Sequence, residues 1–210
     1  MKEYGMIFSG PMVRAILDGT KTQTRRIIKP QPKDWTTRYG KPWPCIEKNG
    51  LVEYQKCPHG EIGDRIWVRE TWWEPPFITH RMLRNGADTW PKCDYDIECD
   101  NQRREEYREW GWKRKPSIFM PRWASRIDLE ILNIWPEKIQ DISEEDAKKE
   151  GVVKEFRIVV MRPDGGPDYS IGLSYKGGFA NLWDSLNAKK GYGWDKNLWV
   201  FVREFRRIKP

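Results

Sequence analysis

The sequence predicts an α+β fold, a small mixed β-barrel with short flanking helices and one irregular insertion. Three observations lead there. Residues 65–70, 125–134 and 199–207 read as strands, the last two with clear apolar alternation. Short helical patterns with recognisable starts and stops stand between them. At 210 residues the chain is long enough to bury a sizeable core, and it carries no repeat or low-complexity tract. We read 1–210 as one domain with an insertion at about 74–115.

Taken in order, Ser9-Gly10-Pro11 reads as a helix start, with proline tolerated in the first turn and the Ser9 hydroxyl engaged as the cap. Met12, Val13 and Ile16 form its buried stripe, and Gly19 stops it. Residues 22–28 read as a strand ended by Lys29-Pro30-Gln31-Pro32, and 30–62 as loop with at most a short hairpin. Gly63-Asp64 turns the chain into the strand 65–70. From 74 to 115 the pattern dissolves apart from an amphipathic piece around 102–110, which suggests a lid or an added binding surface. In 125–134, Ile127, Leu129 and Ile131 share one face, with Asp128 and Glu130 on the other. A helix over about 143–150 has Ser143 as cap, Asp146 three residues on, and Gly151 as its stop. Residues 154–176 suggest a hairpin around Pro163-Asp164-Gly165-Gly166. Phe179, Leu182, Trp183 and Leu186 then mark a core-packed helix over 178–188, and 199–207 closes the fold as a strand.

Lysine and arginine exceed aspartate and glutamate by 38 to 31, a net charge of +7, and the excess is local. Residues 20–41 hold Lys21, Arg25, Arg26, Lys29, Lys33, Arg38 and Lys41 against Asp34 alone, and Arg203, Arg206, Arg207 and Lys209 form a second basic group. Such patches point to polyanions, nucleic acid first, or to a plain solvated face. The 13 tryptophans fit either a core or base stacking between cations. Trp123, set between Arg122 and Arg126, is the one expected to face a ligand.

No stretch approaches ~20 apolar residues, so no membrane span is expected. The N-terminus opens straight into Met6-Ile7-Phe8 without a signal-peptide pattern, so a cytoplasmic protein is expected. Cys45, Cys57, Cys93 and Cys99, with His59 near Cys57, match no common zinc spacing, so no metal is assigned and disulfides are not expected. There is no Gly-x-Gly-x-x-Gly fingerprint, and no organic cofactor is expected. The sequence points to no particular protein partner.

The ordered set of first helix, Gly19-Thr20-Lys21-Thr22-Gln23-Thr24-Arg25-Arg26, Gly63-Asp64 before a strand, the acidic helix and Val202-Arg203-Glu204-Phe205 resembles the ASCH domain of the PUA-like β-barrels. The resemblance is closest to the longer ASCH proteins of tailed phages and prophages. It extends to Pro121-Arg122-Trp123-Ala124-Ser125-Arg126 and Gly191-Tyr192-Gly193-Trp194-Asp195, and covers most of the chain outside 74–115. It implies a PUA-like barrel, RNA or a modified nucleoside as partner, and a place in a bacterial host or phage-infected cell. Small ASCH amidohydrolases remove the acetyl group of N(4)-acetylcytidine with a lysine, a threonine three residues later and a glutamate ending the acidic helix. The matching positions are Lys21, Thr24 and Glu150.

That implied chemistry is physically sound. A threonine hydroxyl needs a base, and a lysine serves only if burial or nearby positive charge such as Arg25 and Arg26 lowers its pKa. A glutamate at a helix C-terminus is disfavoured by the macrodipole, which suits an acid, while a lysine nearby opposes that effect. Without the resemblance, a lysine and a threonine after a helix stop and a terminal glutamate are ordinary surface residues. Glu70 reads either as a reader of a cytosine-type amine or as the ion-pair partner of Arg69 or Arg126. Two other functions compete with the amidohydrolase. One is a non-catalytic RNA- or modified-base-binding module using Arg25, Arg26, Arg122, Trp123 and Arg126. The other is a ribonuclease, ranked last because neither a histidine pair nor a carboxylate metal cluster is evident.

Overall fold

The computed structural model describes residues 1–38, 40–48, 51–76, 94–157, 160–161, 167–168 and 171–208. Strand β1 (Glu3–Ile7) leads through helix α1 (Gly10–Leu17) into β2 (Gln23–Ile27). A meander follows, β3 (Asp34–Arg38), β4 (Lys41–Lys48) and β5 (Leu51–Tyr54), and then β6 (Arg65–Arg69) and β7 (Trp72–Glu74). Next come β8 (Asp94–Tyr95), α2 (Asn101–Glu109), β9 (Lys113–Lys115) and the long β10 (Asp128–Lys138). The last part holds α3 (Glu144–Lys149), β11 (Glu155–Arg157), β12 (Val160–Met161), β13 (Pro167–Asp168), β14 (Ile171–Ser174), α4 (Tyr175–Asn187) and β15 (Trp199–Ile208). This is a mixed α+β fold dominated by sheets, with a few short helices. None of its described helices is long and apolar enough to cross a membrane.

The central sheet runs β1-β6-β10-β15-β2, with β1 parallel to β6 and the other pairs antiparallel. Strand β10 alternates as its sequence requires, burying Leu129 and Ile131 in phase with Ile127 just before it. A bulge at Leu132 then resets the phase, so Ile134 rather than Asn133 turns inward. The bulge lets the strand run on through Pro136. Ile139 N donates to Leu198 O, so odd-numbered residues face β15 and Pro136 points its missing donor away from the ladder.

Strand β15 is buried on both faces and divides the core. Phe201 and Phe205 join Met6, Ile66, Leu129 and the α1 residues Val13 and Ile16 on one side. Val200 and Val202 join Ile142, Ala147, Phe179 and Trp183 on the other, under α3 and α4. Arg203 shares the inner phase of Phe201 and Phe205 and is 0% exposed. Grouping it with the surface arginines Arg206 and Arg207 is therefore corrected by the strand's own alternation.

Two further expectations are corrected. Residues 30–62 are more than loop with a short hairpin: within 34–54, β3, β4 and β5 form a three-stranded antiparallel sheet that buries Trp43 and Cys45. Its prolines are tolerated because Pro44 O accepts from Gln55 N, so that residue's polar groups face away from β3. The insertion is not irregular where described. Strands β8-β7-β9 form a small sheet, and Trp73, Cys99, Tyr107 and Trp112 give it a core of its own. Residues 77–93 lie outside the described set. So do the turn residues Pro163 to Gly166, although the pairing of β12 with β13 brackets that expected hairpin.

The helix boundaries follow their caps. Gly19 closes α1 with φ +75, and Gly151 follows α3 with φ +79. Ser143 Oγ accepts from Asp146 N at 3.0 Å, as the capping pattern predicts. Gly151 answers to two demands at once, since a Cβ there would lie 2.7 Å from Ala15 Cβ and 2.9 Å from Lys21 Cβ. Gly151→Ala should therefore destabilise the protein by roughly 2–4 kcal/mol, combining left-handed strain with overpacking. Urea denaturation checks it, and an unshifted midpoint would show that the close approach of α3 to α1 does not exist.

Candidate functional site

The site forms where the chain after α1 meets the end of α3. Past Gly19, the amides of Thr20 and Lys21 both donate to Ala15 O at 2.9 Å, which turns the chain back on the helix. Lys21 then pairs with Glu150 as an isolated antiparallel bridge, and Thr22 N donates to Lys149 O at 2.8 Å. Residues 129 apart in sequence are thereby stitched backbone to backbone.

The side chains complete the junction. Lys21 Nζ donates to Glu150 Oε2 at 2.6 Å and to Glu150 O at 2.8 Å. Arg25 Nη1 donates to the other carboxylate oxygen at 3.0 Å, while its Nε donates to Glu137 Oε1 at 2.7 Å. Asp146 does not close the capping box, because its carboxylate turns to Gln23 Nε2 at 2.9 Å. Lys21 is 1% exposed, Thr24 0% and Glu150 3%. A surface reading of these three is therefore excluded.

Strand alternation puts Thr24 on the opposite face of β2 from Arg25, level with Arg203 of β15. The Thr24 hydroxyl accepts from Arg26 Nη1 at 3.1 Å, and Lys21 spends its bonds on Glu150. The site thus holds two coupled pairs, Lys21 with Glu150 and Arg26 with Thr24. Arg26 also donates to Arg25 O at 3.1 Å and to Ile7 O on β1 at 3.2 Å, across the space between the two end strands of the sheet.

Beside this cluster is a cavity of about 710 Å³, within the size range of small-molecule sites. Arg25, Arg26 and Glu150 lie on its wall, with Phe8, Met12 and Phe201 from the core. All four residues of the α4 apolar stripe, Phe179, Leu182, Trp183 and Leu186, line it too, Phe179 and Trp183 being the buried ones. Ser9 also lines it. Although Ser9 stands at the N-cap of α1, its side chain makes no capping bond, which corrects the expectation that capping engages the hydroxyl.

Burial holds the Lys21 ammonium below its ordinary range, with Glu150 opposing and Arg26 and Arg25 adding to the fall. Burial brings Arg26 down to about 10, Glu150 pulling it up and Arg203 down. His59, on the cavity wall, is lowered to about 4 by burial and then by Arg203 and Arg26. A histidine depressed in this way opposes folding only when it must carry a proton. Stability should therefore fall as pH drops from about 6.5 towards about 4, where the unfolded chain binds the extra proton. Thermal melts across that range check this, and a slope unchanged in His59→Gln would refute it.

The other expected ligand residues lie elsewhere. Glu70 is held by Arg126 through both oxygens, at 3.1 and 3.2 Å, and burial raises its pKa against that pull. Arg126 also pairs with Glu98 and lies 3.7 Å over the Tyr95 ring. Arg122 bridges Glu3 and Asp128 at 2.9 and 3.0 Å. Trp123 is 48% exposed and meets Trp72 edge-on at 5.7 Å. None of these four lines the cavity. Cys45, Cys57 and Cys99 are buried free thiols, Cys93 lies outside the described residues, and no metal-type cluster occurs among the described residues.

Sequence reasoning missed Lys56, His59 and Lys190 as cavity residues, since the first two stand in a loop and the third in a single 3-10 turn after α4, none with a periodic signal. It missed the burial of Arg203, although the phase of β15 carried that information. Comparison of the chain with protein-family models, with curated proteins and with solved structures finds no match in any of the three.

Proposed function

We propose that this chain is an ASCH-type amidohydrolase of the PUA-like class, acting on N(4)-acetylcytidine or a related acylated nucleoside. The single observation that carries this reading is the 2.6 Å contact between Lys21 and Glu150. These are the two residues that the resemblance assigns to proton transfer; Thr24 is held by Arg26 rather than by the lysine, and neither Lys21 nor Thr24 is on the cavity wall, so the reaction requires both to open towards it. The Arg26 bond to Ile7 O, spanning from β2 to β1, supports a barrel-like curl of the central sheet.

In the reaction, a proton passes within the pair from Lys21 to Glu150, leaving a neutral amine and a carboxylic acid. Depression of the lysine by burial favours that state. Arg26 swings from the Thr24 hydroxyl towards the acyl oxygen, where its charge stabilises the developing oxyanion. Thr24 Oγ attacks the carbonyl carbon as Lys21 accepts its proton. The C–N bond breaks as Glu150 protonates the departing exocyclic amine, and water then hydrolyses the threonyl ester. The purified protein should release cytidine and acetate from N(4)-acetylcytidine, followed by chromatography. No turnover on that or other N(4)-acylated cytidines would overturn the reading.

A second reading, a binding module for RNA or a modified base, is favoured by the cationic lining of the cavity. It requires tight, salt-sensitive binding without hydrolysis.

A further inference from the structure

We infer that the cavity takes a phosphate-bearing nucleoside, a 5′-nucleotide, in preference to the free nucleoside. This rests on the proposed function for the base and adds the phosphate. The lining carries five cations, Arg25, Arg26, Lys29, Lys56 and Lys190, against one carboxylate, Glu150. That carboxylate is already shared between Lys21 and Arg25, and Arg25 has Glu137 besides. The remaining four cations make no ion pair among the described residues, and Lys29 only rests 4.2 Å over the Tyr192 ring.

The charge deepens behind the wall. Arg203 is fully buried, and among the described residues its side chain donates to Cys57 Sγ at 2.7 Å while its Nε and Nη1 find no acceptor. It lies close enough to depress both Arg26 and His59. Cations gathered in a partly dry space without counter-charge are costly, and an anionic ligand relieves them. An uncharged nucleoside would leave the excess standing, whereas a phosphate monoester brings about −1.5 to −2 charges near neutral pH. Lys29, Lys56 and Lys190 are exposed, so they sit where a hydrated phosphate can be met, while Phe8, Leu182 and Leu186 offer apolar wall for a base.

Calorimetric titration with cytidine, cytidine 5′-monophosphate and a short single-stranded RNA tests this without any hydrolysis step. The monophosphate should bind at least about tenfold tighter than cytidine at low salt, and the preference should shrink as salt rises. In the Lys56→Ala/Lys190→Ala double variant that preference should fall below about threefold, with the melting temperature as a check on folding. Equal binding of cytidine and its monophosphate would overturn the inference while leaving amide hydrolysis intact. Binding of the RNA without the monophosphate would overturn it in favour of a polymer. Binding of none of the three, with no turnover of N(4)-acetylcytidine, would remove both readings.

Discussion

On the proposed mechanism, Thr24→Val should abolish hydrolysis of N(4)-acetylcytidine, lowering kcat by on the order of 10³-fold or more, while the protein stays folded. Valine keeps the branched shape in a position that is fully buried on β2, so packing is nearly preserved. Only the hydroxyl is lost. Its hydrogen-bond donor, Arg26, retains two further acceptors in Arg25 O and Ile7 O, so no buried guanidinium is left without a partner. The stability change should therefore stay within about 1.5 kcal/mol. Progress curves and a thermal melt on the same preparation separate the two effects. Wild-type turnover in Thr24→Val would remove threonine as the nucleophile and overturn the proposed mechanism.

Glu150→Gln should be the most destabilising single change in the site, at about 3–5 kcal/mol, or roughly 6–20 °C in melting temperature for a chain of this size. Its carboxylate sits between Lys21 and Arg25, both buried, and the neutral amide leaves two cations with less counter-charge. Arg25 is partly rescued by Glu137 at 2.7 Å and Asp146 at 3.9 Å, but Lys21 has no second carboxylate among the described residues. The sign of the pH dependence follows. A lysine whose folded pKa lies below its unfolded value binds more protons when unfolded, so the variant's deficit should shrink as pH rises towards 10.5. Lys21→Met makes the contrast, because Arg25 still neutralises Glu150 and the loss should be much smaller. Equal losses in both variants would mean that charge balance does not hold this junction together.

Much of the scaffold was readable from the residues. The Ser143 cap, the Gly19 and Gly151 stops, the inward phase of Ile127, Leu129 and Ile131 and the helix around Phe179 and Trp183 are local patterns, and local patterns survive folding. The meander over 34–54 was not readable, because Pro42 and Pro44 speak against a strand unless their ladder partners are known. The same holds for β10, where the bulge at Leu132 breaks the alternation that would have extended the strand to Lys138.

For the site, the residues in order already name the chemical groups available: a lysine, threonines and arginines after a helix stop, and a glutamate ending an acidic helix. How they pair was settled by folding. Bringing Lys21 onto Glu150 across 129 residues, placing Thr24 under Arg26, and sinking Arg203 behind them all depend on which strands lie side by side. Residue type sets what a group can do, but burial and neighbouring charge set its protonation and its partners, and those are properties of packing rather than of the chain in order.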